Sequence, residues 1–364
     1  MRYEDNQEYF NDPDFLHILN QYEQMEAGGP KAFLDADDLT DVAEYYLIVK
    51  DDEARARACI DYALQLFPQA TSPLIFQARQ HLLNDDLDTT QQLCDAIPDQ
   101  EDREVIFLNA EIMVRRKLTS AAVQYLLDKG KTIEYDYDYY LYDGGCIFID
   151  YAEWEAAHTL AKHLCSYAPD WYKAWHLMAD ALLGLSQWKE ALTYINRMLD
   201  ADPFSIETWN WASEAYSGSE AYEKAVEAAD YALAVEPDNV RATQLKAHAF
   251  LHMQLYEQAM QLYNEVLDRV PDDEATMAFM TYCYLCMDQV EKARQTIEQA
   301  ELLADGNSPE QQMIYEQHAN VLAAMGRYDE AISYIDKAQA EGDDGKTDYN
   351  AIRADFRRRR DLGE

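Results

Sequence analysis

Apolar residues recur along most of the chain at spacings of three and four, the signature of helices that bury one stripe. From residue 138 onward the stripe is punctuated at a fixed interval. Pro169, Pro203, Pro237 and Pro271 stand 34 apart, as do Ala157, Ala191, Ala225, Ala259 and Ala293, with Ala331 following after 38. Three residues before these alanines stand Trp154, Trp188, Tyr222, Tyr256, Val290 and Tyr328; twelve before stand Gly145, Ala179, Ser213, Ala247, Thr281 and Ala319, all small. Each 34-residue unit therefore predicts two amphipathic helices, broken near 186–188, 219–222 and 325–328. The small residue at position 8 and the alanine at position 20 mark where the two helices cross closely. The aromatic at position 17 plugs the start of the second helix, and the proline at position 32 ends it, having no N–H and clashing with the preceding turn.

Five units keep strict register: 138–171, 172–205, 206–239, 240–273 and 274–307. Another fits 312–345 after four inserted residues, Ser308 to Gln311, and an upstream one fits 37–70 on Ala43, Leu47, Ala56, Ile60, Ala63 and Pro68. Two looser units cover about 71–101 and 102–137, where Thr90 and Ala121 stand for the second-helix alanine and the later unit has a shortened first helix. Residues 1–36 read as an N-terminal capping segment, with a helix around 14–26 begun by Asp12-Pro13 and ended by Gly28-Gly29-Pro30. Residues 346–364 read as a C-terminal capping helix started by Asp348, whose stripe of Tyr349, Ile352 and Phe356 covers the last repeat.

The chain resembles the tetratricopeptide repeat family on these residues. One unit runs Trp175, Met178, Ala179, Leu182, then Trp188, Ala191, Ile195, and closes at Pro203; the next runs Trp209, Ala212, Ser213, Tyr216, then Tyr222, Ala225, and closes at Pro237. The resemblance covers about 37–345 and implies an all-α superhelix, a solenoid of about nine helix-turn-helix repeats between terminal caps. It further implies that positions 2, 5, 9 and 12 of each first helix line a concave face. Those positions hold Tyr139 and Tyr142 in one repeat, Lys173, His176 and Asp180 in the next, Glu207, Asn210 and Glu214 in the third, and Arg241, Gln244 and His248 in the fourth. Members that grip a chaperone's C-terminal carboxylate use Lys, Arg and Asn there. Here Glu207 and Glu214 stand between Lys173 and Arg241, so that ligand is not expected.

Composition then sets the sign of any partner. The chain has 364 residues, 69 acidic against 30 basic, for a net charge of −39, yet 48% of it is hydrophobic, enough for a core. Such a surface repels nucleic acid and anionic membrane and favours cationic or neutral partners. The N-terminal text lacks the basic and apolar stretches of a signal peptide, no run is long enough to span a membrane, and the six scattered cysteines suit a reduced compartment, so a cytoplasmic location is expected.

Chemistry is sparse. Nucleotide-binding glycine motifs, the hydrolase GxSxG and the zinc-binding HExxH are absent, so no enzyme, cofactor or metal is expected. Cys283 and Cys286 spell CxxC within a helix and lack a second pair; they read as two small core residues. His248 and His252 share a face, but without a third ligand. The run Tyr135 to Asp143 has three carboxylates but neither the spacing nor the glycine of a calcium loop; its tyrosines read as packing on neighbours. Of six tryptophans, Trp154, Trp175, Trp188 and Trp209 satisfy the repeat, whereas Trp171 and Trp211 are not demanded by it. Trp211 with Asn210, His176, Asp180, Tyr139 and Tyr142 is accordingly the candidate patch. Together these features predict a non-enzymatic scaffold binding a basic or amphipathic protein segment on its concave face. The alternative is self-assembly of the acidic N-terminal segment with the basic run Arg357 to Arg360 of another copy.

Overall fold

The computed structural model describes residues 9–30, 33–304, 306, 308, 310–342 and 347–363. The first residues of the N-terminal capping segment and the junction expected at 345–346 lie outside them. Among the described residues all regular structure is helical, and the chain divides into two compact units, one ending at Ala181 and one starting at Leu182. The first contains α1 (Pro13–Glu26), α2 (Ala36–Ile48), α3 (Glu53–Leu66), α4 (Thr71–Leu83), α5 (Leu87–Ala96), α6 (Arg103–Arg115), α7 (Thr119–Gly130), α8 (Tyr137–Asp150), α9 (Trp154–Tyr167) and most of α10 (Tyr172–Gly184). The second contains α11 (Trp188–Ala201), α12 (Ile206–Gly218), α13 (Tyr222–Val235), α14 (Val240–His252), α15 (Tyr256–Arg269), α16 (Glu274–Cys286), α17 (Val290–Ala304), α18 (Gln311–Ala324), α19 (Tyr328–Glu341) and α20 (Tyr349–Leu362). Helices in substantial contact are adjacent or next but one in chain order, the pattern of a solenoid.

One turn repeats throughout. Asp51, Asp85, Lys117, Ala152, Ser186, Glu220, Gln254, Asp288 and Gly326 all have left-handed backbones, with φ between 52° and 74°, and each second helix begins two residues later. Beyond the left-handed residue, the next N–H reaches back five residues to cap the first helix: Glu153 to Phe148 O at 2.8 Å, Ala221 to Tyr216 O at 2.8 Å, Leu255 to Phe250 O at 2.9 Å and Arg327 to Leu322 O at 2.9 Å. This is the Schellman arrangement, which satisfies carbonyls that the helix end leaves open. Only Gly326 has the residue type that takes this conformation without steric cost.

The fourth residue of each second helix is where the pair crosses. Ala56, Thr90, Ala122, Ala157, Ala191, Ala225, Ala259, Ala293 and Ala331 are all fully or almost fully buried there. Opposite them lie Ala179, Ser213, Ala247, Thr281 and Ala319, equally buried, and the Ser213 hydroxyl donates to Ala225 O at 2.9 Å. In the looser repeat the buried alanine is Ala122; Ala121 points to solvent, because α7 starts at Thr119. Its partner α6 is not shortened either: it has 13 residues, the length of α10, α12 and α14. Irregular spacing around Pro98 and the left-handed Lys117 disguised a full helix pair.

Ends of the array are closed by aromatics. In the first unit Phe10, Phe15 and Tyr45 pack with ring centroids 5.0–5.6 Å apart beside α1. In the second, Tyr349 and Phe356 of α20 bury against α19, Phe356 lying 6.4 Å from Tyr328.

Successive repeats pack as tightly: a Cβ on Gly145 of α8 would lie 2.3 Å from Cδ2 of Leu177 in α10, and Leu177 is itself buried. Gly145→Ala is expected to lower unfolding free energy by about 1–3 kcal/mol through overpacking, read from urea denaturation.

Candidate functional site

In the first unit, four residues singled out from sequence come together with one that the repeat does not require. Lys173 Nζ sits 4.9 Å above the Tyr139 ring and 5.0 Å above that of Tyr142. Trp171 packs edge-on against both tyrosines, at 4.9 and 6.0 Å, and His176 lies 6.3 Å from Tyr142. Tyr142 and His176 are buried, Asp180 is half-buried one turn further along α10, and Tyr139 keeps 42% of its surface in solvent. Trp171 occupies an unusual place. Ser205, Asn239 and Asp273, which follow it at intervals of 34, cap α12, α14 and α16 by accepting from Thr208 N (3.2 Å), Ala242 N (2.8 Å) and Thr276 N (2.8 Å). An indole has no acceptor for that task. It is directed at the tyrosines instead.

The same unit carries a row of charges that sequence reading missed, because the looser repeats gave no register for it. Arg79 bridges Glu104 (2.6 Å) and Glu111 (3.4 Å), and Arg103 pairs with Asp143 (2.5 Å), so α4, α6 and α8 are linked through their first-helix faces. Burial raises the pKa of Glu111 and Asp143 above the ordinary carboxylate range, opposed by Arg79 and Arg103 respectively. Burial also raises Asp41, where a hydrogen bond from Tyr9 opposes it, and Glu44, whose neighbours Asp41 and Glu104 push it further. Carboxylates outnumber arginines here, and their charge is incompletely compensated.

In the second unit the remaining candidates line two clefts. The first, about 420 Å³, is walled by Glu207, Asn210, Trp211 and Glu214 of α12 with Glu236, Asn239 and Arg241. Arg241 pairs with Glu214 at 3.0 Å, and the Asn239 amide donates to Glu236 at 2.6 Å. Asn210 is only 9% exposed, and its Oδ1 has no hydrogen-bond partner. The second cleft, about 570 Å³, begins on the other side of Arg241 and includes Gln244, His248, Val270, Phe279 and Met313. Gln244 donates to Asp273 Oδ2 at 2.6 Å. His248 lies 4.2 Å from the Phe279 ring; burial, with Arg241 and His252 nearby, lowers its pKa to about 4, so the imidazole is neutral at physiological pH. Sequence reading missed Asn239 and Glu236, which lie in the turn outside the helix positions it used, and Phe279 and Met313, which only packing brings to His248.

Other candidates resolve into structure. Tyr140 stacks on Phe107 and donates to Leu126 O at 2.8 Å, and Asp143 is the partner of Arg103. Among the described residues no group of three or more His, Cys, Asp or Glu side chains is arranged to hold a metal ion. His252 stacks on Tyr222 at 5.1 Å, away from the Phe279 partner of His248. Cys283 is buried as expected, but Cys286, at the last position of α16, is exposed rather than in the core; both are free thiols. In the basic run, Arg358 and Arg359 pair with Asp355 (2.5 and 2.8 Å), and Arg360 pairs with Asp329 and Asp361.

Two family models match this repeated geometry: the N-terminal TPR repeats region of Psidin over residues 217–320, and the tetratricopeptide repeat over 314–340. The chain is a tetratricopeptide repeat protein. Among solved structures, it is similar to a tetratricopeptide repeat protein from Parabacteroides merdae, with 17% identity, 71% of this chain and 99% of that one covered, and a TM-score of 0.59. TTC0263 of Thermus thermophilus (20% identity, 51% and 98% covered, TM-score 0.45) and pilF of Pseudomonas aeruginosa (15%, 60% and 97%, 0.46) also match. At 17% identity the likeness to the first shows the fold alone. No curated protein matches by sequence. Tetratricopeptide repeats are in general non-enzymatic protein-interaction scaffolds, and no helix among the described residues is long and apolar enough to cross a membrane.

The charge row of this repeat protein has a stability signature. Because the folded pKa of Glu44 is raised, ionising it opposes folding: its contribution is most favourable below the unfolded carboxylate pKa and is lost as pH rises through the folded value. Glu44→Gln is expected to raise the urea midpoint at pH 7, and that gain should vanish at pH 4 and below.

Proposed function

We propose that this chain is a non-catalytic scaffold that takes a basic or amphipathic protein segment along the exposed faces of its first helices. The observation that carries this reading is Trp171, an aromatic standing where the repeat elsewhere places a helix cap and packed on the half-open Tyr139. Departures from local consistency of this kind concentrate at functional positions. Tyrosine and tryptophan supply large contact area with few rotatable bonds, and tyrosine faces receive cations. The carboxylate row through Asp41, Glu44, Glu104 and Asp143 favours positive charge on the incoming segment. That role draws on side chains whose chemistry is recognition, and it uses the solvent-facing first-helix positions that the solenoid does not need for its own packing.

The test separates stability from binding. Trp171→Ser restores a cap worth about 1 kcal/mol while removing ring contacts of similar size, so the urea midpoint should stay within about 1 kcal/mol of the parent. Screened against a display library of random twelve-residue peptides, the parent protein should enrich net-positive sequences, and Trp171→Ser should bind them about tenfold or more weakly. Enrichment of acidic peptides, or equal binding by the variant, would overturn the proposal.

A further inference from the structure

The second unit exposes aromatic rings at a place the repeat does not call for. Asp170, Asp238 and Asp272 hold the turn position after the repeat's proline, all of them in solvent; 34 residues from each of the first two stands Phe204, with 74% of its surface exposed. Trp209 secures that turn. Its indole N–H donates to Pro203 O at 2.9 Å, which holds the peptide joining Pro203 to Phe204 beside the ring. The face of the same indole stacks on Tyr231 of α13, with centroids 4.5 Å apart and planes 20° from parallel. Tyr231 still exposes 57% of its surface, and Val235, one turn on, exposes 40%. On so charged a protein, an apolar group of this kind that breaks the repeat's own pattern marks a contact surface.

The charges beside it have an order. Glu223, Glu227, Tyr231 and Val235 follow one another four apart along α13, so they form one solvent-facing stripe, acidic in its first half and apolar in its second. Neither Glu223 nor Glu227 is paired with a cation among the described residues. Asp230 beside them is held by Lys246 at 2.7 Å, and the one basic residue of the helix, Lys224, lies over the Tyr216 ring at 5.6 Å. The negative half of the stripe is therefore left to an incoming charge, and the open face of Tyr231 can be covered by a cation or by the alkyl stem that carries it.

We infer that α13 and the turn before α12 form a second docking surface, which takes an amphipathic helix of a partner protein with basic residues towards one end and bulky apolar residues towards the other. Lysine or arginine meets Glu223 and Glu227, and the apolar side chains cover Phe204, Tyr231 and Val235. A helix suits the stripe because both helices advance about 1.5 Å per residue, so side chains four apart on one stay in step with side chains four apart on the other. An extended chain, at about 3.3 Å per residue, falls out of step within one turn. Glu227 and Val235 are separated by about 12 Å along the axis, which places the partner's basic and apolar residues about two turns apart. This surface lies off the first-helix faces and is carried by different residues from the scaffold reading above.

The full chain, screened against a display library of helical peptides about sixteen residues long with one face randomised, tests it. The enriched peptides should carry Lys or Arg about two turns from Leu, Phe or a residue of similar bulk. Phe204→Asp supplies the residue that the neighbouring repeats use, so thermal unfolding should match the parent while binding falls about tenfold and the apolar preference disappears. Glu223→Lys with Glu227→Lys changes only exposed side chains and should remove the basic preference instead. Trp171→Ser should bind these peptides as the parent does. No enrichment, a consensus lacking either the basic or the apolar residue, or undiminished binding by Phe204→Asp overturns the proposal. Loss of binding in Trp171→Ser also overturns it, since the peptides would then sit at the Trp171 patch. A dimer in sedimentation that Phe204→Asp dissociates makes a second copy the occupant and overturns it as well. If the Phe204 and Glu223 results hold while Trp171→Ser fails its own test, the scaffold reading alone falls.

Discussion

The structure depends on one constraint, the close approach of two helix backbones at a pair of minimal side chains. Ser213 can donate to the Ala225 carbonyl only because nothing larger than a methyl stands between their helices. The same economy holds between repeats at Gly145 of α8, where Leu177 of α10 occupies the space a methyl would need. Dispersion falls steeply with separation, so a crossing this close secures contacts that a wider one forfeits. The turn before each second helix follows from the same requirement. The chain must reverse within a few residues and still deliver its fourth helical residue to the crossing, and a left-handed residue followed by a backward N–H bond does so every time. The protein holds non-glycine residues there at eight of nine turns, accepting a local steric cost that the packing on either side outweighs.

With small residues at the crossings and aliphatic and aromatic ones filling the rest of the interior, the clefts and charge networks described above lie on the first-helix faces and the turns beside them. The two units differ there. The first holds edge-on aromatics next to a carboxylate-rich row; the second holds a polar cleft with an unpartnered amide oxygen and, beside it, a cleft where Val270, Phe279 and Met313 stand among carboxylates. In both, arginines are engaged by carboxylates of the chain itself, as in Arg79 with Glu104 and Arg241 with Glu214. The net charge of −39 is therefore presented to a partner with few free cations to offset it.

How much of this the sequence disclosed varies with the physical cause. The crossing was legible, since it demands small residues at a fixed period and no other feature imposes one. The turn conformation was not: Ser186, Gln254 and Asp288 carry no mark of a left-handed backbone, which the packing on both sides imposes. Ala122 was misread by one residue because the period falters around it, and the Arg79 network was invisible for the same reason. Tyr139, Tyr142, Lys173 and His176 do assemble, yet Trp171 organises them, and its significance emerges only when Ser205, Asn239 and Asp273 are seen to be caps. The clefts combine helix positions that periodicity supplies with Asn239 and Glu236 from a turn, which it does not.

Among the described residues the substantial helix contacts reach no further than the next helix but one, and this has a consequence for cooperativity. A globular domain ties its parts through distant contacts and tends to unfold as a whole. An array held by nearest neighbours distributes its free energy along the chain, so that its ends open before its middle and a ligand steadies chiefly the helices it touches. Occupancy would then be written into the protein as a local gradient of order, strongest at the bound repeats and fading with each helix away from them.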